Sequence, residues 1–139
     1  MGPREPSDPA GVHQFGFAAG MIVEELGWDE DADEAVRQAV MAVIDADLVD
    51  ESTDAADAVL LWLRADDGDV VDLLIDSLTD LGPKGFLWVL TPKIGRPGHV
   101  PQADLAEGAT AAGLGLTTSA VVSKDWSAHK IVRPKATRR

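Results

Sequence analysis

The sequence predicts an α/β domain built on a single, mostly parallel sheet that helices flank and an antiparallel β-hairpin closes. Three observations lead there. Short apolar runs alternate with segments whose apolar residues recur at three- and four-residue spacing, the order that builds strand–helix–strand units. The runs at 57–64 and 85–90 are apolar at successive positions rather than alternate ones, as expected of strands covered on both faces. The last two apolar segments are separated only by Lys124-Asp125-Trp126, a connection short enough for antiparallel neighbours alone.

Taken in order, Gly20 opens the run Met21-Ile22-Val23-Glu24-Glu25-Leu26, whose β-branched start and closing Gly27 predict a first strand. Ala32, Ala35, Val36, Ala39, Val40, Val43 and Ile44 then fall on one helical face. A central strand over Asp57–Arg64 follows. Asp69 is placed to cap a helix through Leu81, with Val70, Val71, Leu74, Ile75 and Leu78 on its buried side and Gly82-Pro83 as its stop. Gly85–Leu90 is a further central strand, and Pro101 opens a helix through Leu105, Ala106, Ala109 and Ala112 to Gly113. Leu116–Ser123 and Ser127–Arg133 form the hairpin, which adds one antiparallel strand at the end of the sheet. Right-handed crossovers place every connection leaving a parallel strand on one edge.

Composition bounds the rest. A chain of 139 residues that is 45% apolar suits one domain. Residues 1–16 hold three prolines and three glycines and are expected to form a flexible arm, residues 17–133 the domain, and residues 134–139 a basic tail. No apolar run is long enough for a signal peptide or a membrane span, so a cytoplasmic location is expected. The lack of cysteine excludes disulfides, thiol catalysis and thiolate metal sites. The net charge of −12 divides unevenly: residues 1–83 carry 3 basic and 21 acidic side chains, residues 84–139 carry 9 and 3. Such acidity works against nucleic-acid binding, whose affinity comes from neutralised phosphates, while the basic segment suits a protein partner or a small anionic ligand.

The pieces Gly27-Trp28-Asp29-Glu30-Asp31, Val59-Leu60-Leu61-Trp62, Trp88-Val89-Leu90-Thr91-Pro92-Lys93, Gly98-His99-Val100 and Asp125-Trp126-Ser127 together resemble a family of small uncharacterised actinobacterial proteins, a domain of unknown function. The resemblance spans roughly residues 17–135 and implies class and compartment without an activity. The element order is also similar to the Rossmann-like class I methyltransferase fold with its usual second and third strands shortened or missing. Those enzymes place a glycine-rich turn after the first strand so that the backbone can approach S-adenosylmethionine. Here that turn reads Gly27-Trp28-Asp29-Glu30-Asp31, with one glycine, a bulky indole and successive carboxylates, so the cofactor is expected to bind weakly or not at all.

The candidate chemistry is sparse. Asp29, Asp31 and Asp33 alternate like the front of a calcium loop, yet the sixth position is Glu34 rather than glycine and the twelfth is Val40 rather than glutamate. These carboxylates instead suit the positive end of the following helix. His13, His99 and His129 show no metal-ligand spacing or triad, and no Gly-x-Ser-x-Gly elbow occurs. No catalytic residue, metal or cofactor is assigned. The segment Thr91–His99 concentrates Lys93, Arg96 and His99 beyond a parallel strand's carboxyl end, where open α/β sheets gather ligands. Trp62 and Trp88 belong in the core. Trp28, Arg64, Lys93, Arg96, His99 and Trp126 form the expected ligand- or partner-binding edge, with Trp28 and Trp126 either stacking a ligand or folding over the sheet. The chain thus reads as a non-catalytic binding or regulatory module, with the alternative of an enzyme or sensor that holds a small anionic ligand, a nucleotide or coenzyme fragment, at that edge.

Overall fold

The computed structural model describes residues 12–50 and 55–134. Its five-stranded sheet consists of β1 (Val23–Leu26), β2 (Ala56–Trp62), β3 (Leu81–Pro92), β4 (Gly115–Val121) and β5 (Trp126–Val132), in the order β1-β2-β3-β5-β4. β1, β2 and β3 pair in parallel, and β5 pairs antiparallel with both β3 and β4. The antiparallel strand is therefore not at the sheet's end, as the sequence suggested. The crossover from β3 skips one position and lays β4 at the edge, parallel to β1–β3, and the hairpin returns β5 into the gap.

The helices are α1 (Val12–Phe15), α2 (Glu34–Ile44), α3 (Val70–Ser77) and α4 (Gln102–Ala111). The successive apolar positions of β2 and β3 feed two cores, since neighbouring residues of a strand point to opposite faces. Ala58, Leu60, Trp62, Phe86, Trp88 and Leu90 meet Val36, Val40 and Ile44 of α2 on one face. Val59, Leu61, Leu87 and Val89 meet Leu74 of α3 and Leu105 and Ala109 of α4 on the other. Trp62 and Trp88 lie in the core, as expected. Gly108 lets the two outer helices close on each other, because a Cβ there would overlap the Val70 side chain.

The expected arm reaches too far inward. Val12 and Phe15 are fully buried, and Phe15 meets the Trp88 ring edge-on at 5.4 Å, so the arm's end at residue 16 gives way to a helical turn packed on the sheet. Two apolar side chains three residues apart were enough to anchor it among prolines and glycines. The remainder of the arm, residues 1–11, and of the tail, residues 135–139, lies outside the described residues. The helix expected to reach Leu81 ends at Ser77, where short bonds such as Leu78 N to Ile75 O and Leu81 N to Leu78 O tighten the chain into β3. Gly82-Pro83 consequently lies within β3, in an excursion that separates the pairs Ala56–Leu81 and Ala58–Phe86. Among the described residues no helix is long and apolar enough to cross a membrane.

Candidate functional site at the carboxyl edge of the sheet

β1, β2 and β3 all end on one edge, and antiparallel β5 begins there, with Trp126 opposite Pro92. Gly27, at φ +76, turns the chain directly against β2. Arg64, just past β2, ties the edge together. Its Nη1 donates to the Gly27 carbonyl at 2.8 Å, its Nε to Asp31 Oδ2 at 3.0 Å, and its Nη2 to Asp31 Oδ1. Asp67 Oδ2 lies 3.3 Å from Nη1, and the guanidinium carbon sits 5.5 Å from the centre of the Trp126 ring. Hydrogen bonding to Arg64 lowers the Asp31 carboxyl below its usual range, and the same pair raises the Arg64 guanidinium. Asp33 caps α2 through Ala35 N and Val36 N, and Asp29 bonds the Glu30 amide. Asp31 and Asp33 of the alternating carboxylates thus serve a cross-tie and a helix start. Among the described residues no group of three acidic or histidine side chains is placed to hold a metal ion.

All six expected edge residues reach this edge, but they face three recesses rather than one. Trp28 and Arg64 line a cavity of about 330 Å³ with Leu26, Leu61, Leu73, Asp29, Asp67 and Asp76. Arg96 and Trp126 line a second of about 180 Å³ with Asp31, Pro92, Pro97 and Asp125. Lys93 and His99 line a third of about 200 Å³. Trp28 is 54% exposed, available for stacking. Trp126, by contrast, is the first residue of β5 rather than part of the connection. It is buried with its ring edge-on to Trp62 at 4.8 Å, which removes it as an open stacking platform. The segment expected as a loop from Thr91 starts at Lys93, since Thr91 and Pro92 remain paired with β5. Arg96 reaches Asp125 Oδ1 at 3.3 Å, and His99 Nδ1 lies 2.9 Å from the Pro92 carbonyl oxygen.

Two polar clusters escaped the sequence reading. Glu25 is buried in β1 and accepts from Arg37 Nε at 2.7 Å, Arg37 Nη2 at 2.8 Å and Trp62 Nε1 at 2.8 Å. The signal was present: Arg37 and Arg64 are rare cations in an acidic half, and each gathers two carboxylates. The second cluster centres on buried His129, whose Nδ1 lies 2.7 Å from Ser119 Oγ and whose Nε2 lies 3.1 Å from Thr91 Oγ1. Only strand register joins these three, because Ser119 and Val89 flank His129 across β4, β5 and β3.

Burial, and then the charge of nearby His99, push the His129 imidazole down to about 4 from an ordinary 6.5. Between those values the unfolded chain binds a proton at this residue and the folded chain does not, so its contribution to stability falls as pH drops from 6.5 to 4. The loss is expected to total on the order of 3 kcal/mol. Urea unfolding across this window, compared with His129→Gln to subtract other titrating groups, checks it. Identical pH slopes in the two proteins would remove His129 as the cause.

The parallel core strands, the crossover helices on both faces and the edge where the strands end define a Rossmann-like α/β fold. The chain belongs to the family described as protein of unknown function (DUF3052), which matches residues 12–135. The uncharacterized protein Rv2239c of Mycobacterium tuberculosis is 45% identical over 126 residues, covering 90% of this chain and 79% of that protein. Among solved structures, the fold is similar to the O-methyltransferase NcsB1 from neocarzinostatin biosynthesis, in complex with S-adenosyl-L-homocysteine and 1,4-dihydroxy-2-naphthoic acid. That similarity has a TM-score of 0.65 at 16% identity over 91% of this chain, which spans only 54% of NcsB1. The CcbJ methyltransferase from Streptomyces caelestis is similar with a TM-score of 0.57 at 12% identity, covering 94% of this chain and 91% of that one.

Proposed function

We propose that this chain is a non-catalytic binding module with a regulatory role, cytoplasmic, that receives its ligand or partner at the carboxyl edge of the sheet. The closed turn after β1 carries the reading. NcsB1 has been solved with S-adenosyl-L-homocysteine and with S-adenosylmethionine, and in enzymes of this fold the turn after the first strand is glycine-rich to admit the cofactor. Here its one glycine presses on β2, its carbonyl is held by Arg64, and Trp28 follows it. Asp29, Asp67 and Asp76 line the adjoining cavity, where they oppose the carboxylate of such a cofactor. The groups present do not fit it.

Isothermal titration with S-adenosylmethionine is expected to give no measurable heat of binding. A dissociation constant in the low micromolar range would overturn the non-catalytic reading and make methyl transfer the first hypothesis.

A further inference from the structure

We infer that the recess lined by Lys93 and His99 binds a small anion carried on a compact apolar group; this rests on the reading of the edge as a binding face. Of the three Lys and Arg side chains expected at this edge, one has no ion pair among the described residues. Arg64 is engaged by Asp31 and Asp67, and Arg96 by Asp125, whereas Lys93 has no ion pair among the described residues. Its side chain is half-buried at the mouth of the crossover, so an anion beside it is screened less than one in open water.

His99 adds a fixed second group. A carbonyl oxygen only accepts, so Nδ1 carries the hydrogen toward Pro92; this fixes the ring, and since Nε2 of a neutral ring is an acceptor, the donors to an anion here include Lys93 and the Ser127 hydroxyl. The Ser127 hydroxyl also lines the recess. Thr91, Gln102 and His129 add polar lining, and the apolar walls are Val100, which is buried, and Ile94 and Val121, which stand 80% and 62% exposed. Four large apolar side chains are exposed among the described residues, and the two most exposed of them flank this one recess. Apolar surface left in water beside an unpaired cation fits an occupant with a charged head and an apolar body. The volume of about 200 Å³ lies below the roughly 300–1,000 Å³ of common ligand pockets, which restricts that occupant to a small molecule.

The test is an amide NMR titration of the full chain with benzoate, phenyl phosphate, inorganic phosphate and neutral benzamide, with S-adenosylmethionine titrated in parallel. Saturable shifts at residues 93–100, 121 and 127 are expected with benzoate or phenyl phosphate, the tighter of the two naming the head group. Inorganic phosphate and benzamide, each lacking one half of the recognition, should bind at least about tenfold more weakly. Lys93→Ala should lose tenfold or more in affinity for the better probe, while Lys93→Arg retains it and both variants keep the native spectrum elsewhere. Absence of saturable shifts with both aromatic acids, or unchanged affinity in folded Lys93→Ala, overturns the inference. Silence of these probes together with silence of S-adenosylmethionine would defeat this recess alone, whereas S-adenosylmethionine binding would defeat the non-catalytic reading.

Discussion

Gly27→Ala is expected to destabilise the domain by at least about 3 kcal/mol, lowering the melting temperature by roughly 10 °C. Two costs combine. At φ +76 any residue with a Cβ is strained, by roughly 1–2 kcal/mol. The added methyl would also lie within 3.0 Å of the Trp62 carbonyl oxygen, on the backbone of a central strand that has nowhere to retreat. Gly95→Ala is the matched control, since Gly95 has φ +87 with nothing within 4 Å of an added Cβ, so it should lose only the conformational part. Scanning calorimetry on both variants separates the two costs. Equal losses would mean that the turn is not pressed against β2, and the closed-turn argument against cofactor binding would fall with it.

Glu25→Ala is expected to cost about 3–5 kcal/mol, because it removes one partner from a buried charged network. Among the described residues Arg37 would keep only the exposed Glu34, and Trp62 Nε1 would lose its acceptor inside the core. The Glu25→Leu, Arg37→Met double variant should be less destabilised than Glu25→Ala, since replacing both charges with apolar groups leaves no ion stranded. Urea unfolding of the two variants measures this. A double variant as unstable as Glu25→Ala would show that packing of the side chains, rather than the stranded charge, sets the cost.

Much of the architecture was legible because it rests on local periodicity. The helical spacing of Val36, Val40 and Ile44 and the unbroken apolar runs of β2 and β3 state which faces are buried without reference to any distant residue. Gly82-Pro83 misled for the same reason: the pair resembles a helix stop when only its neighbours are considered, while its place in β3 depends on Leu81 and Phe86, on either side of it, pairing with Ala56 and Ala58. The edge residues divide similarly. Parallel topology brought Trp28, Arg64, Lys93, Arg96, His99 and Trp126 to one edge, as expected. Which of them stay open there depended on partners distant in sequence, such as Asp31, 33 positions before Arg64, and Arg64, 62 positions before Trp126.

The sequence by itself determined the class of fold, the two-sided burial of the central strands, the exclusion of thiol chemistry and the uneven charge. Each follows from composition or from spacing along the chain. Tertiary structure alone decided that Arg64 closes the turn after β1, that Trp126 belongs to the core, that Lys93 has no ion pair among the described residues, and that Ser119, His129 and Thr91 form one hydrogen-bonded chain. These are outcomes of register and crossover, which bring together groups that no local pattern relates. Hydrogen bonds and ion pairs act over a few ångströms, so whether a side chain is a strut or a free binding group is settled only by what the fold places beside it.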